Sequence, residues 1–280
     1  MSLNDNPFYG QIMFFEKNKI DLDNPNVGIT ITDAVATYTG QDYTNFMRNR
    51  NNFTAWMTTG STDAAGTEML IDLVDERFVS DIILIGHNLK AFTIQYWTGL
   101  VYTDFPTPIS ETTNTDDVNY FTNTGVNTSK IKITITGTQV ADADKFIKQL
   151  IFTEKLGAGQ LEAWPEIKSP RHNPNRKTSR MLSGKVHVVE TLGAFSCSLK
   201  IKTWRLFNDL DIIERLYFGR EPALMWLGGN NETQFSYAAR GYRKEDLYLV
   251  RPVNDWKPEF YKACYSNGIK LNIKLEEAVS

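Results

Sequence analysis

A mainly β protein is expected from three features of this chain. Short alternating apolar runs recur from residue 27 onward, clusters of Gly, Asn, Asp and Thr separate them, and only one segment has helical periodicity. Many short strands joined by turns, with helices scarce, mean a sandwich or a barrel. The 280 residues suffice for two ordinary domains.

Residues 1–26 read as an N-terminal arm with one strand inside GQIMFFEKNKI, closed by the turn cluster Asp21-Leu22-Asp23-Asn24-Pro25-Asn26. That cluster carries the oxygen side chains of a calcium loop, but no glutamate follows at EF-hand spacing. No cofactor is expected, and a structural calcium at this turn is the alternative.

Residues 27–155 carry almost only strand signals. Met69, Ile71 and Leu73 alternate with Leu70 and Asp72, and the run from Val79 to Ile85 becomes apolar on both faces, as a central strand does. Phe92, Ile94 and Tyr96 face one way, Thr93 and Gln95 the other. Ile131, Ile133 and Ile135 alternate with Lys132, Thr134 and Thr136, and Ile147 to Phe152 is a last strand. Residues 104–129 (DFPTPISETTNTDDVNYFTNTGVNTS) are expected as a long polar loop.

Residues 156–182 change character, with prolines, glycines and no sustained period. From Lys168 to Arg180 the stretch is basic without an acid. It reads as a linker, or as an extended arm whose Arg171, Arg176, Lys177 and Arg180 meet acidic groups of a neighbouring subunit.

Residues 183–280 form a second β-rich domain. Cys197, Leu199 and Ile201 alternate with polar neighbours. One helix is expected over about 208–218, where Leu206, Leu210, Ile213 and Tyr217 share a face, Asn208 caps, and Gly219 and Pro222 terminate. Strands return at Ala223–Leu227 and Leu247–Val250. Asn267-Gly268 reads as the turn of a terminal hairpin, with Ile269, Leu271, Ile273 and Leu275 toward the core.

Composition bounds the function. A net charge of −3 argues against nonspecific nucleic-acid binding. No apolar run approaches the ~20 residues of a membrane span. No basic segment precedes the first apolar residues, so no signal peptide is expected. Cys197 and Cys264 read as buried free thiols. The aromatic content of 12% suits packed sheets and large protein interfaces.

The search for catalytic chemistry finds little. His87, His172 and His187 are not spaced as metal ligands, and HExxH, CxxC, GxSxG, the P-loop and GxGxxG are all missing. The carboxylate pairs Asp116-Asp117, Asp142/Asp144 and Glu276-Glu277 sit in turns and at a strand end, where solvation accounts for them. His87 and Asn88 are expected to hydrogen-bond a tight turn. Trp56 is expected in the core, and Tyr96-Trp97 in core or interface. No catalytic residue, no metal site and no enzymatic activity is expected.

Asn52-Phe53-Thr54-Ala55-Trp56, then Ile71-Asp72-Leu73, then the runs Val79 to Ile85, Phe92 to Tyr96, Lys130 to Thr136 and Gln149 to Phe152, in that order, resemble the discoidin (factor 5/8 type C) family. The resemblance implies a galactose-binding-like jelly-roll β-sandwich that binds sugars, lipids or proteins through loops at one end. The stapling cysteines of its extracellular members are missing here. The Gly86-His87-Asn88-Leu89 turn looks like discoidin-like domains of tailed-phage structural proteins, and the layout of residues 183–280 is similar to tail-tip, tail-tube and distal-tail proteins. That implies a barrel-like, ring-forming β-domain. The resulting expectation is a structural component of a phage tail tip or baseplate, a homo-oligomeric ring in the virion tail that is assembled in the host cytoplasm and docks other tail proteins. The alternative is a carbohydrate-binding, host-recognition module that stacks glycans on Tyr102, Phe105, Tyr120 and Phe121. Neither reading calls for a membrane or a specific nucleic acid.

Overall fold

The computed structural model describes residues 11–33, 42–49, 54–161, 166–172, 175–180, 186–191, 195–203, 206–219, 221–228, 242–263 and 266–278. In chain order the elements are β1 (Gln11–Phe15), β2 (Gly28–Asp33), α1 (Asp42–Phe46), β3 (Trp56–Met57), β4 (Thr67–His87), β5 (Leu89–Trp97), β6 (Tyr102–Glu111), β7 (Val118–Thr138) and β8 (Phe146–Thr153). They continue with β9 (Lys155–Gln160), β10 (Glu166–His172), β11 (Asn175–Arg180), β12 (Val186–Thr191), β13 (Phe195–Thr203), α2 (Leu206–Phe218), β14 (Ala223–Gly228), β15 (Tyr242–Pro252), β16 (Glu259–Ala263) and β17 (Ser266–Glu277). The protein is mainly β, as expected, with two helices among the described residues instead of one.

Two compact units result: Glu16–Lys155, and Met1–Phe15 together with Leu156–Ser280. The first is therefore an insertion in the chain of the second. The expected arm 1–26 is split by this boundary. β1 is a central strand of the second unit, between β14 and β9. Its residues Ile12, Met13, Phe14 and Phe15 are all buried, so the strand is apolar on both faces and cannot stand alone.

In the inserted unit the strands run β3-β8-β4-β7-β5-β6, with β2 on β4. β4 and β7 are long antiparallel partners that serve both layers of a sandwich. Thr67 to Asp72 pair with Ile135 to Lys130, whereas Asp81 to Ile85 pair with Thr122 to Val118 and also with β8. The register shifts between these halves, Val74 has φ 72 and Gly125 has φ 92. Both strands thus turn a corner there, as bulges do. The expected loop 104–129 is mostly β6 and β7, and only residues 112–117 connect them. Its Thr, Asn and Asp content misleads because half of each strand faces water. Met69, Ile71, Leu73, Ile82, Leu84, Phe92, Ile94, Ile131, Ile133, Ile135 and Phe152 fill the core, each at most 1% exposed.

In the second unit the order is β10-β13-β17-β15-β14-β1-β9, with β16 on β17, and no closed barrel forms among the described residues. The expected linker 156–182 contributes β9 and β10 to this sheet, and β11 forms a separate two-stranded hairpin with β12. Helix α2 buries Ile212, Ile213 and Leu216, with Tyr217 packed at the edge. Leu210 is half-buried, so the buried stripe is rotated from the expected one. The Gly219 N–H closes the helix on Arg215 O at 2.8 Å. Asn267-Gly268 is not the hairpin turn. Tyr261 pairs Gly268 and Ala263 pairs Ser266, so Asn267-Gly268 lies inside the paired strand. The Leu271, Ile273, Leu275 alternation against β13 sets this register and overrides the local turn signal.

Candidate binding surface

Tyr102, Phe105, Tyr120 and Phe121 are expected near and within the 104–129 loop; the structure places the first two on β6 and the last two on β7. Phe105 is a core residue at 2% exposure, its ring 5.3 Å from Tyr96. Phe121 packs on the core, edge-on to Phe92 at 6.1 Å. Tyr120 is half-buried, and its hydroxyl donates to Asp81 Oδ1 at 2.6 Å. Asp81 is fully buried, also accepts from Ser80 Oγ, and lies 3.8 Å from Lys155 Nζ. Tyr120 thus partners a buried carboxylate through its hydroxyl.

Tyr102 alone of the four lies on an open sheet face. Strands β7, β5 and β6 are neighbours there, and alternation puts Phe92, Ile94, Ile131, Ile133 and Phe105 inward. The opposite face carries Lys132, Gln95, Trp97, Tyr102 and Asp104, all half-buried or exposed. Gln95 pairs with both Lys132 and Asp104, and Trp97 with Tyr102. The Trp97 and Tyr102 rings are 4.9 Å apart at 57°, Lys132 Nζ sits 5.0 Å from the Tyr102 ring centre, and Gln95 Nε2 donates to Asp104 Oδ1 at 2.9 Å. Burial first, then the charges of Glu68 and Asp72, push the Tyr102 phenol up, so it remains a hydroxyl donor at neutral pH. The result is an aromatic step bordered by an amide, a carboxylate, an ammonium and a phenol. Such a surface can stack an apolar face and take hydroxyl groups at its rim. Trp97, Gln95, Lys132 and Asp104 are missing from the residues expected at a site. The sequence carries a signal for them: each occupies the alternate position to a core residue, so Gln95 and Trp97 face outward where Ile94 faces inward.

The remaining expectations divide. Trp56 is a core anchor at 0% exposure. His87 is 1% exposed, and its Nδ1 accepts from the Leu89 N–H at 3.2 Å, which makes it the turn residue expected. Burial lowers it to about 4, against weaker pulls from Asn119, Asp117 and Asp116. Asn88 bridges Asp144 O and the Phe146 N–H at 2.8 and 3.0 Å. Gly86 has φ 61, and a Cβ there would meet the Lys148 side chain at 2.7 Å. Cys197 is a buried free thiol, pushed up to about 12 by burial, and Cys264 lies outside the described residues, as do Asn52 and Phe53. Arg171 falls on β10, and Arg176, Lys177 and Arg180 on β11, but their side chains lie outside the described residues.

The calcium-like turn holds a different cation. Arg48, 6% exposed, donates from Nε to Ile20 O, from Nη1 to Val27 O at 3.3 Å, and from Nη2 to Asp21 O and Asn24 O at 3.2 and 3.0 Å. A second buried cation, Lys145 at 0% exposure, donates to Ser61 Oγ, to Thr62 O at 3.0 Å and to Ala65 O at 3.1 Å. Among the described residues no group of three or more His, Cys, Asp or Glu could hold a metal ion, and no helix is long and apolar enough to cross a membrane.

No protein-family model matches the chain, and no curated protein matches it. Solved structures similar to it include chitosan-binding module 1 derived from a chitosanase/glucanase of Paenibacillus sp. IK-5, at 13% identity, 49% of this chain, 98% of that chain and a TM-score of 0.38. CpGH89CBM32-6 produced by Clostridium perfringens is similar at 14% identity, 49% of this chain, 99% of that chain and a TM-score of 0.38. The Ruminococcus gnavus GH29 fucosidase E1_10125, in complex with fucose, is similar at 16% identity and a TM-score of 0.38, over 50% of this chain and 27% of that chain.

Proposed function

We propose that this chain is a non-catalytic carbohydrate-binding protein, with its inserted sandwich as the binding module. The observation that carries this reading is the Trp97–Tyr102 ring pair on an open sheet face, with Lys132 over the phenol and the Gln95–Asp104 pair beside it. The aromatic step would stack the C–H face of a saccharide ring. Gln95, Asp104 and the Tyr102 hydroxyl would take its hydroxyl groups. The ligand class is a saccharide, from a host-surface or other glycan. The test is a glycan array followed by titration of the intact protein and its Trp97→Ala variant. The reading expects a saccharide bound by the parent protein and at least about tenfold more weakly by the variant. An array without signal for the parent would remove the reading.

A second reading, a distal-tail or minor tail protein of a phage tail tip or baseplate, is favoured by one observation. The hairpin β11–β12 pairs with no further strand among the described residues. A lone two-stranded hairpin is marginal in water. A neighbouring copy in a ring would pack against it, and Arg176, Lys177 and Arg180 lie on its first strand. In this reading the protein is assembled in the host cytoplasm and resides in the virion tail with other tail proteins. The solution mass decides: several copies per particle supports a ring, and a monomer at all concentrations opposes it.

A further inference from the structure

We infer that the sandwich closes two of its loops around built-in organic cations, Arg48 and Lys145, which do the structural work of metal ions, so that its folding is independent of calcium. The inference goes beyond either functional reading.

The loop 20–27 is where the sequence is most calcium-like. A calcium ion needs six to eight oxygens at about 2.3–2.6 Å, drawn from carboxylates and backbone carbonyls. Here the carbonyl oxygens of Ile20, Asp21, Asn24 and Val27 converge, and all four accept from the guanidinium of Arg48. A guanidinium is a planar fork of five N–H donors and can satisfy several carbonyls at once. The residues therefore do not fit a metal: the four converging carbonyls already accept from N–H donors, and a positive group stands among them. Burial lowers the pKa of Arg48 while the neighbouring Asp21 raises it, so the carboxylate a metal would use compensates the arginine instead.

The loop 61–65 repeats the arrangement with an ammonium. Lys145 Nζ has three N–H donors, and Ser61 Oγ, Thr62 O and Ala65 O, all from this one loop, stand around it. Its backbone is fixed too: the Lys145 N–H donates to Thr58 Oγ1 at 2.8 Å, and Lys145 O accepts from the Thr58 N–H at 2.9 Å. Asp63 lies beside this cage. Burial acts to raise the Asp63 pKa, yet hydrogen bonds from Thr138 and the Asp142 N–H, and the charge of Lys145, hold it below the usual carboxylate range. Burying an unpaired charge is strongly unfavourable, whereas a charge with every donor satisfied can pin its surroundings. A buried lysine that donates to three oxygens of one loop acts as the ion of that loop.

The test uses the intact protein. Thermal unfolding is followed in excess EDTA and in millimolar calcium. The inference expects the same sandwich midpoint in both, since an ion bound to the folded state would raise it by mass action. A midpoint that falls with EDTA or climbs with calcium overturns it. Lys145→Met keeps the length and removes the charge. A fall in midpoint of more than about 5 °C is expected, or no folded sandwich. An unchanged midpoint would mean that the ammonium does no structural work, and the inference fails. If the variant does not fold, the EDTA and calcium comparison on the parent protein still decides.

Discussion

Replacing His87 with glutamine should flatten the acid limb of the stability profile. The imidazole is 1% exposed and burial lowers its pKa from 6.5 to about 4. The folded value lies below the unfolded value, so between them the unfolded chain binds more protons. The contribution is complete above pH 6.5 and is lost as pH falls through 6.5 toward 4. At roughly 1.4 kcal/mol per pH unit, that interval is worth up to about 3 kcal/mol of sandwich stability. Urea unfolding of the parent protein and His87→Gln at pH 7 and at pH 4 measures it. The variant loses some stability at pH 7 because Nδ1 no longer accepts from the Leu89 N–H. The difference between the two proteins should then shrink or reverse by about 3 kcal/mol at pH 4. Parallel pH profiles for the two proteins would refute the reasoning.

Gly125→Ala should destabilise the sandwich by about 1–3 kcal/mol, because φ is 92 and a Cβ would stand 2.2 Å from the Phe78 ring. An unchanged urea midpoint would show that the β7 corner needs no glycine. Tyr120→Phe removes the donor at 2.6 Å from buried Asp81 and should lower stability by about 1.5–3 kcal/mol without weakening saccharide binding. Loss of binding with stability intact would restore Tyr120 as a contact residue.

Most of the sandwich frame was legible because alternation is a long-range consequence of one face being buried. Met69, Ile71 and Leu73, then Ile131, Ile133 and Ile135, are all core residues as their period requires. Trp56 and the His87-Asn88 turn followed from the same pattern. The failures share a cause. Local composition marks the 104–129 stretch as loop, the 156–182 stretch as linker and Asn267-Gly268 as a turn, whereas long-range pairing decides them: β6 and β7 join the sandwich, β9 and β10 extend a sheet, and β13 sets the register of β17. The pairing of β1 with β14, which makes the sandwich an insertion, leaves no local trace in sequence. At the candidate site the aromatic residues expected near and within a loop lie on strands of a sheet. Phe105 is buried and Phe121 packs partly buried against the core because their strands alternate, and Trp97 faces the other way for the same reason.

The most direct test of the central claim is the affinity ratio between the parent protein and Trp97→Ala for a saccharide found on the array, with thermal midpoints recorded alongside. Trp97 is only half-buried, so its removal should leave the midpoint nearly unchanged while weakening binding at least about tenfold. Equal affinity in the two proteins, or no saccharide bound by the parent, would contradict the account.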